Sequence, residues 1–341
     1  MIYTTLPDTN VKVSKICLGT MTFGNQNTES EGHEQLSFAL DNGVNFIDTA
    51  ELYPVPATAE TYGRTSEIIG SWLTKTGLRD KVILASKIAG GGDYTEHIRT
   101  TDFADSIEDA VNGELKRLQT EYIDLFQLHW PERNTNRFGV RDYKHDMWED
   151  NFNSVLHALE KVITAGKVRY AGLSNETAWG TMRYLEEFKK QELPRMITIQ
   201  NSYSLLNRTF EGGLSEVSLR ENIGLLAYSP MAFGVLSGKY IEKKDSPNSR
   251  LNLHPRFARY SSEQSTEATR EYLKIANKYN LSLAQMALAF VNQQPFVTSN
   301  IIGATNLKQL KENIDSINLE LNNEILDEIN TIHSRIPNPA P

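Results

Sequence analysis

The sequence predicts an α/β protein, a (β/α)8 TIM barrel with an N-terminal β-hairpin and two extra helices. Three observations carry that expectation. Eight short apolar runs alternate with amphipathic helical patterns, the arrangement of a parallel sheet with crossover helices. Three of these runs end near ionisable residues: VNFIDTAELY (44–53) brings Asp48 and Tyr53, VILASK brings Lys87, and YIDLFQLHW brings His129. Three long connections, 53–64, 130–147 and 233–262, all follow strands and exceed the ~2–6 residues usual for such loops. In a barrel of parallel strands, all of these features open on the C-terminal rim where active sites are built.

Along the chain, segments 2–5 and 11–14, joined by the turn-rich LPDTN, read as a hairpin closing the bottom of the barrel. Core strands are expected near 16–18, 44–48, 82–87, 122–128, 168–172, 197–200, 223–227 and 298–302. Helical patterns fit between and after them at 29–42, 64–76, 103–119, 148–165, 177–190, 214–221, 282–293 and 306–316. Two further helical patterns, around 263–279 and 322–333, are surplus to eight alternations. No internal repeat or Pro/Ser-rich linker divides the 341 residues, so one barrel domain spanning 1–341 is expected, frayed only in the tail IPNPAP.

Composition narrows the function. The four Trp, 13 Phe and 14 Tyr supply a sizeable core, and the net charge of −8 leaves no basic face for a nucleic-acid backbone. The single Cys17, within KICLG, excludes an intrachain disulfide and reads as a small buried hydrophobe. No apolar stretch approaches the ~18 residues of a membrane span, and MIYTTLPDTN lacks the layout of a signal peptide. A cytoplasmic protein with no nucleic-acid or membrane partner is expected. Homo-oligomerisation is compatible with the sequence.

The rim residues suggest a reaction. A phenol with an unperturbed pKa of about 10 is a poor proton donor near neutrality, and a neighbouring ammonium makes its proton easier to give up. Asp48 would hold Lys87 charged and in place beside Tyr53, and His129 would orient a carbonyl oxygen. A positioned tyrosine acid, with neither nucleophile nor metal cluster, points to protonation of an oxygen that gains charge during carbonyl reduction. The hydride must then come from a cofactor.

No Gly-x-Gly-x-x-Gly follows a strand, so a nucleotide would have to bind at the barrel mouth. Ser174, Asn175 and Gln200 at strand ends carry groups able to hydrogen-bond a carboxamide, and Tyr228 could stack on a nicotinamide ring. Gly303, Ala304 and Thr305 lead into a helix whose N-terminus suits an anion, with Gln309 and Asn313 one turn apart on it for adenine and ribose. Lys239 and Arg250, in the long loop after the seventh strand, are the best candidates to meet a 2′-phosphate.

The spacing of LGTMTFG (18–24), DTAELY (48–53), SK (86–87), QLHW (127–130), GLSN (172–175), QNSYSLLNR (200–208), AYSPMAFGVLSGKY (227–240) and IIGATNLKQLKENI (301–314) resembles the aldo-keto reductase family along nearly the whole chain. The resemblance extends, more distantly, to its voltage-gated potassium channel β-subunits. It implies catalytic roles for Asp48, Tyr53, Lys87 and His129, and two extra helices packed outside the barrel. It further implies cofactor contacts at Gly19, Thr20, Met21, Asp48, Ser174, Asn175, Gln200, Tyr228, Ser229, Pro230, Met231, Phe233, Gly234, Lys239, Arg250, Gly303, Thr305, Gln309 and Asn313. Lys239 and Arg250 match cationic contacts of the channel-subunit branch; at Gln309 many family members carry arginine. The expected activity is NADPH-dependent, metal-free reduction of a small aldehyde or ketone. The alternatives are a nucleotide-binding redox sensor with little turnover and a metal-dependent hydrolase. The second is disfavoured because the seven histidines form no His-x-His or His-x-x-x-His pair.

Overall fold

The computed structural model describes the chain except for residues 93–94, 100, 137, 139–147, 243–246, 248 and 254–258. Most of the long connection 130–147, and Lys243 and Lys244 in the connection 233–262, lie outside the described residues.

β-Branched and apolar runs form the strands expected of them. A hairpin, β1 (Tyr3–Thr5) and β2 (Lys12–Ser14), pairs antiparallel with Tyr3 opposite Ser14. Eight further strands follow: β3 (Ile16–Gly19), β4 (Phe46–Asp48), β5 (Ile83–Ile88), β6 (Ile123–Leu128), β7 (Val168–Ser174), β8 (Met196–Ser202), β9 (Gly224–Tyr228) and β10 (Val297–Ile302). They close into a barrel in the order β10-β3-β4-β5-β6-β7-β8-β9, parallel throughout. The crossover helices are α1 (Glu29–Asp41), α2 (Arg64–Thr76), α3 (Phe103–Leu118), α4 (Phe152–Thr164), α5 (Ala178–Gln191) and α6 (Leu214–Arg220). After β9 come a short α7 (Arg250–Leu253), α8 (Glu263–Lys278) and α9 (Leu283–Asn292); α10 (Leu307–Asp315) and α11 (Asn323–Arg335) follow β10.

Side chains along a strand alternate faces, so the barrel interior is layered. Cys17, Phe46, Ala85, Leu125, Ile197, Leu226 and Ile301 form one apolar layer, joined by Leu6 and Val13 of the hairpin. Because Thr4 Oγ1 donates to Thr298 O near the start of β10, the hairpin seals the end at which the strands begin. Two residues further along, the same interior faces carry Asp48, Lys87 and Gln127, all buried. The polar layer therefore stands on a sealed apolar floor. Outside the barrel, α8 and α11 lie against each other, tied by Lys278 to Glu328 (2.6 Å) and Arg335 to Glu271 (3.2 Å).

Boundaries differ from the sequence expectation where side chains compete with the backbone. The helix expected from 148 begins at Phe152, because Asp150 Oδ1 accepts the Phe152 N–H (3.2 Å) while its Oδ2 pairs with Arg183 (3.0 Å). The strand expected over 44–48 begins at Phe46, after Asn45 has turned its side chain to the hairpin: its Oδ1 accepts from Ser14 N (2.7 Å) and its Nδ2 donates to Lys12 O (2.9 Å). The helix at 250–253 has no counterpart in the helical patterns of the sequence.

Candidate active site

Strand alternation and register bring the four ionisable residues together. Asp48 ends β4, Lys87 lies on the neighbouring β5, and His129 follows β6, the next strand. Tyr53 reaches the same point through a turn in which its N–H donates to Ala50 O (3.0 Å). Lys87 is wholly buried; its Nζ donates to Asp48 Oδ2 (2.6 Å) and to Thr49 O (2.7 Å), and lies 4.9 Å from the Tyr53 ring centroid. The Tyr53 and His129 rings meet edge to face at 5.8 Å.

A buried ion pair is tolerable only when the remaining lone pairs are satisfied. Here they are. Asp48 Oδ1 accepts from Gln200 Nε2 (2.8 Å) and from Gln127 Nε2 (3.2 Å), and the Asp48 carbonyl accepts from Thr20 Oγ1 (2.8 Å). Burial alone would lower the Lys87 pKa, but the Asp48 carboxylate and the Tyr53 phenol together raise it, so the ammonium stays charged. For Tyr53, burial is the largest influence and pushes the phenol pKa up, while Lys87 pulls it back. Lys87 thus acts on Tyr53 in the expected direction, but against a larger desolvation. Burial, followed by repulsion from Lys87, holds His129 well below its usual value, so its imidazole is neutral near pH 7.

On the next rim segment, Tyr228 OH donates to Asn175 Oδ1 (2.6 Å), and Asn175 Nδ2 donates to His129 O (2.9 Å). Ser174 Oγ donates to Gln200 O (2.8 Å). The amide of Asn175 is thus engaged within the protein, and Tyr228 is a fixed ring rather than a free one. Trp130 packs on His129 with centroids 4.8 Å apart.

The rim after β9 is built differently. Ser229, Ala232 and Phe233 take left-handed backbone angles (φ 53°, 45° and 57°) beside Gly234 (φ 90°) in the turn after β9. For non-glycine residues such angles carry strain, and here the Ala232 and Gly234 N–H groups bond back to Ser229 O (2.8 Å) and Met231 O (2.9 Å). Pro230 is buried and Met231 partly so within this turn. Lys239 lies over it, since a Cβ on Gly234 would come 3.2 Å from Lys239 Nζ. The Arg250 guanidinium sits 5.1 Å from the Phe233 ring centroid, with Nη2 3.5 Å from Gln26 Oε1. Gly19 and Met21 flank Thr20 at the end of β3, and the Met21 carbonyl accepts from Val55 N (3.3 Å).

At α10 the expected nucleotide residues part company. Gly303 is exposed, with open space where a Cβ would stand, and Thr305 is exposed beside it, while Ala304 is buried. Gln309 instead folds back, its Oε1 accepting from Thr305 N and Thr305 Oγ1 (both 3.0 Å). Asn313 is buried and clasps Gly303 O through Nδ2 (3.1 Å).

Sequence reasoning missed two buried groups. Gln127 sits on β6 two residues before His129, which follows the strand, a period-two signal present in QLHW. Glu51, wholly buried inside DTAELY, accepts from Ala89 N (2.6 Å) and pairs with Arg99, pinning the exit of β5; a charged residue within an otherwise buried run was its only trace. Among the described residues, no three His, Cys, Asp or Glu side chains gather as a metal ion would need, and no helix is long and apolar enough to cross a membrane.

The family profile described as "Aldo/keto reductase family" matches residues 15–334. Protein tas of Escherichia coli (strain K12) is 49% identical over 349 aligned positions, covering 100% of both chains. A protein named "Aldo-keto reductase" from Babesia bovis is 36% identical over 76% of this chain and 98% of its own. The "Uncharacterized oxidoreductase YrpG" of Bacillus subtilis (strain 168) is 32% identical over 97% of this chain and 96% of its own. The chain belongs to the aldo/keto reductase family and is an oxidoreductase.

Proposed function

From that membership we propose that the protein reduces an aldehyde or ketone to an alcohol with NADPH, using Tyr53 as the proton donor. The observation that carries the reading is the buried meeting of Tyr53, the charged Lys87–Asp48 pair and a neutral His129 on one rim. The residues present fit a nicotinamide nucleotide. The left-handed turn at Ser229–Gly234 and the open segment at Gly303 lie at the strand ends where a pyrophosphate would rest, and Lys239 and Arg250 bring cations to an otherwise acidic chain. When bound, NADPH supplies the hydride that the carbonyl carbon receives.

The protein supplies the rest. His129, held neutral, donates a hydrogen bond that orients the carbonyl oxygen. Tyr53 transfers its phenolic proton to that oxygen as negative charge develops there. The Lys87 ammonium stabilises the resulting phenolate, and Asp48 keeps Lys87 charged and directed. Tyr228, fixed by Asn175, offers a flat face against which a nicotinamide ring can rest. Mixing the protein with NADPH and a panel of aldehydes and ketones, and following loss of cofactor absorbance, tests the reading. Reduction by wild type that Tyr53→Phe abolishes is the expected result; no turnover on any carbonyl would overturn it.

A further inference from the structure

We infer that Gln127 is a positioning residue that couples the proton-transfer end of the site to the nicotinamide end, by holding Asp48 and Gln200 in a single hydrogen-bond arrangement. The inference rests on the reductase reading above for its cofactor. Gln127 is wholly buried inside the barrel, on β6 opposite Lys87 of β5. Asp48, paired with Lys87, is a carboxylate and can only accept, so each amide facing its Oδ1 must present its NH2 group. That requirement orients both glutamines. Gln127 Nε2 points at Asp48 Oδ1 (3.2 Å), which leaves the Gln127 carbonyl oxygen to accept the second N–H of Gln200 (3.1 Å), whose first goes to Asp48 (2.8 Å).

Both amide hydrogens of Gln200 are then committed within the protein. What remains to it is a carbonyl oxygen, the acceptor that the NH2 of a nicotinamide carboxamide requires. Without Gln127, the second N–H of Gln200 would be released, and a donor could face a donor. The barrel makes room for this. A Cβ at Gly172 on β7 would stand 2.4 Å from Thr198 Oγ1 and 3.3 Å from Gln127 Cγ, so glycine there keeps the space beside the amide stem uncrowded. The titratable groups that act on the Asp48–Lys87 ion pair beside Gln127 are Cys17 from β3, His129 beyond the end of β6, and Tyr53 from the loop after β4. Asp48 is the member of the pair hydrogen-bonded to Gln127.

Two variants test the coupling, one of them through binding alone. Gln127→Leu should weaken NADPH binding, read by quenching of tryptophan fluorescence, by roughly tenfold, as expected for one lost hydrogen bond. It should leave ADP-ribose 2′-phosphate, which lacks the nicotinamide, unchanged. In Gln127→Glu, a protonated carboxyl can donate to Asp48 Oδ1 and accept from Gln200, reproducing the native pattern, whereas the ionised form repels Asp48. Its kcat/KM should therefore approach wild type at acid pH and fall as pH rises through the new carboxyl's pKa, a limb absent from wild type. Equal weakening of both ligands in Gln127→Leu, or a Gln127→Glu profile parallel to wild type, would overturn the inference. If Gln127→Leu does not fold, the pH profile of Gln127→Glu decides. A wild-type protein that binds NADPH but reduces no carbonyl would defeat the reductase reading, while the two-ligand comparison still decides for or against Gln127.

Discussion

The rim above β4–β6 and the rim above β9–β10 solve opposite problems at one barrel mouth. The first is buried and side-chain-built: Lys87 is completely enclosed, Asp48 has both carboxylate oxygens satisfied, and Tyr53 is only 8% exposed. The second is built from strained backbone at Ser229, Ala232 and Phe233 and from partly buried long cations, Lys239 and Arg250. The contrast follows from the chemistry proposed for each. Proton transfer gains from a dry site in which charges are fixed before reaction, whereas an anion that must enter and leave is better met by N–H groups and long side chains at the surface. Disturbing the first rim should cost rate; disturbing the second should cost affinity.

The largest effect should come from Tyr53→Phe, which keeps the ring and removes the acid. Turnover should fall by the ~10²–10⁴-fold typical of a general acid, with cofactor affinity nearly unchanged. The pH dependence has a defined sign. Burial raises the Tyr53 pKa, so the protonated form needed for reduction persists through neutrality, and kcat/KM should decline only as pH rises past about 10, the ordinary phenol value. With the His129 pKa held well below its usual value, no limb from that residue is expected near pH 6.5. Near-full turnover in Tyr53→Phe would erase the distinction between the rims.

Lys87→Met should lose activity comparably, and adding Tyr53→Phe to it should cost little more, because the two act as one unit. Additive losses, measured as kcat/KM in the double mutant, would separate them. On the opposite rim, Arg250→Ala should weaken NADPH by roughly 1.5–3 kcal/mol while leaving NADH nearly untouched, as expected for loss of a charged partner to the 2′-phosphate. Titration of both nucleotides checks this; equal losses would move Arg250 to the pyrophosphate or to the packing of its loop. The smallest effect belongs to Gln309. Since its side chain caps Thr305, Gln309→Ala should lower stability by about 0.5–1 kcal/mol with little change in NADPH affinity. A loss of affinity above tenfold would instead put Gln309 on the nucleotide.

Those two rims were also unequally legible. Asp48, Lys87 and His129 could be read locally, because each ends a short apolar run and a parallel barrel carries strand ends to one face. At α10 local spacing says less about what the side chains touch. Gln309 and Asn313 share a helix face by spacing, yet one is drawn into capping Thr305 and the other is buried against Gly303. Helical periodicity fixes direction around an axis. It does not say which unsatisfied backbone group a polar side chain will find first.

By itself the sequence determined the alternation of strands and helices, the sealing hairpin and the identity of the rim acids and bases, since these depend on periodicity and on neighbours close in the chain. Only the tertiary structure decided that Gln127 and Gln200 share one oxygen of Asp48, across separations of 79 and 152 residues, and that Glu51 holds the exit of β5. Hydrogen-bond partners in a barrel interior are chosen by strand register and closure, which bring distant residues to the same layer, and no local spacing carries that information.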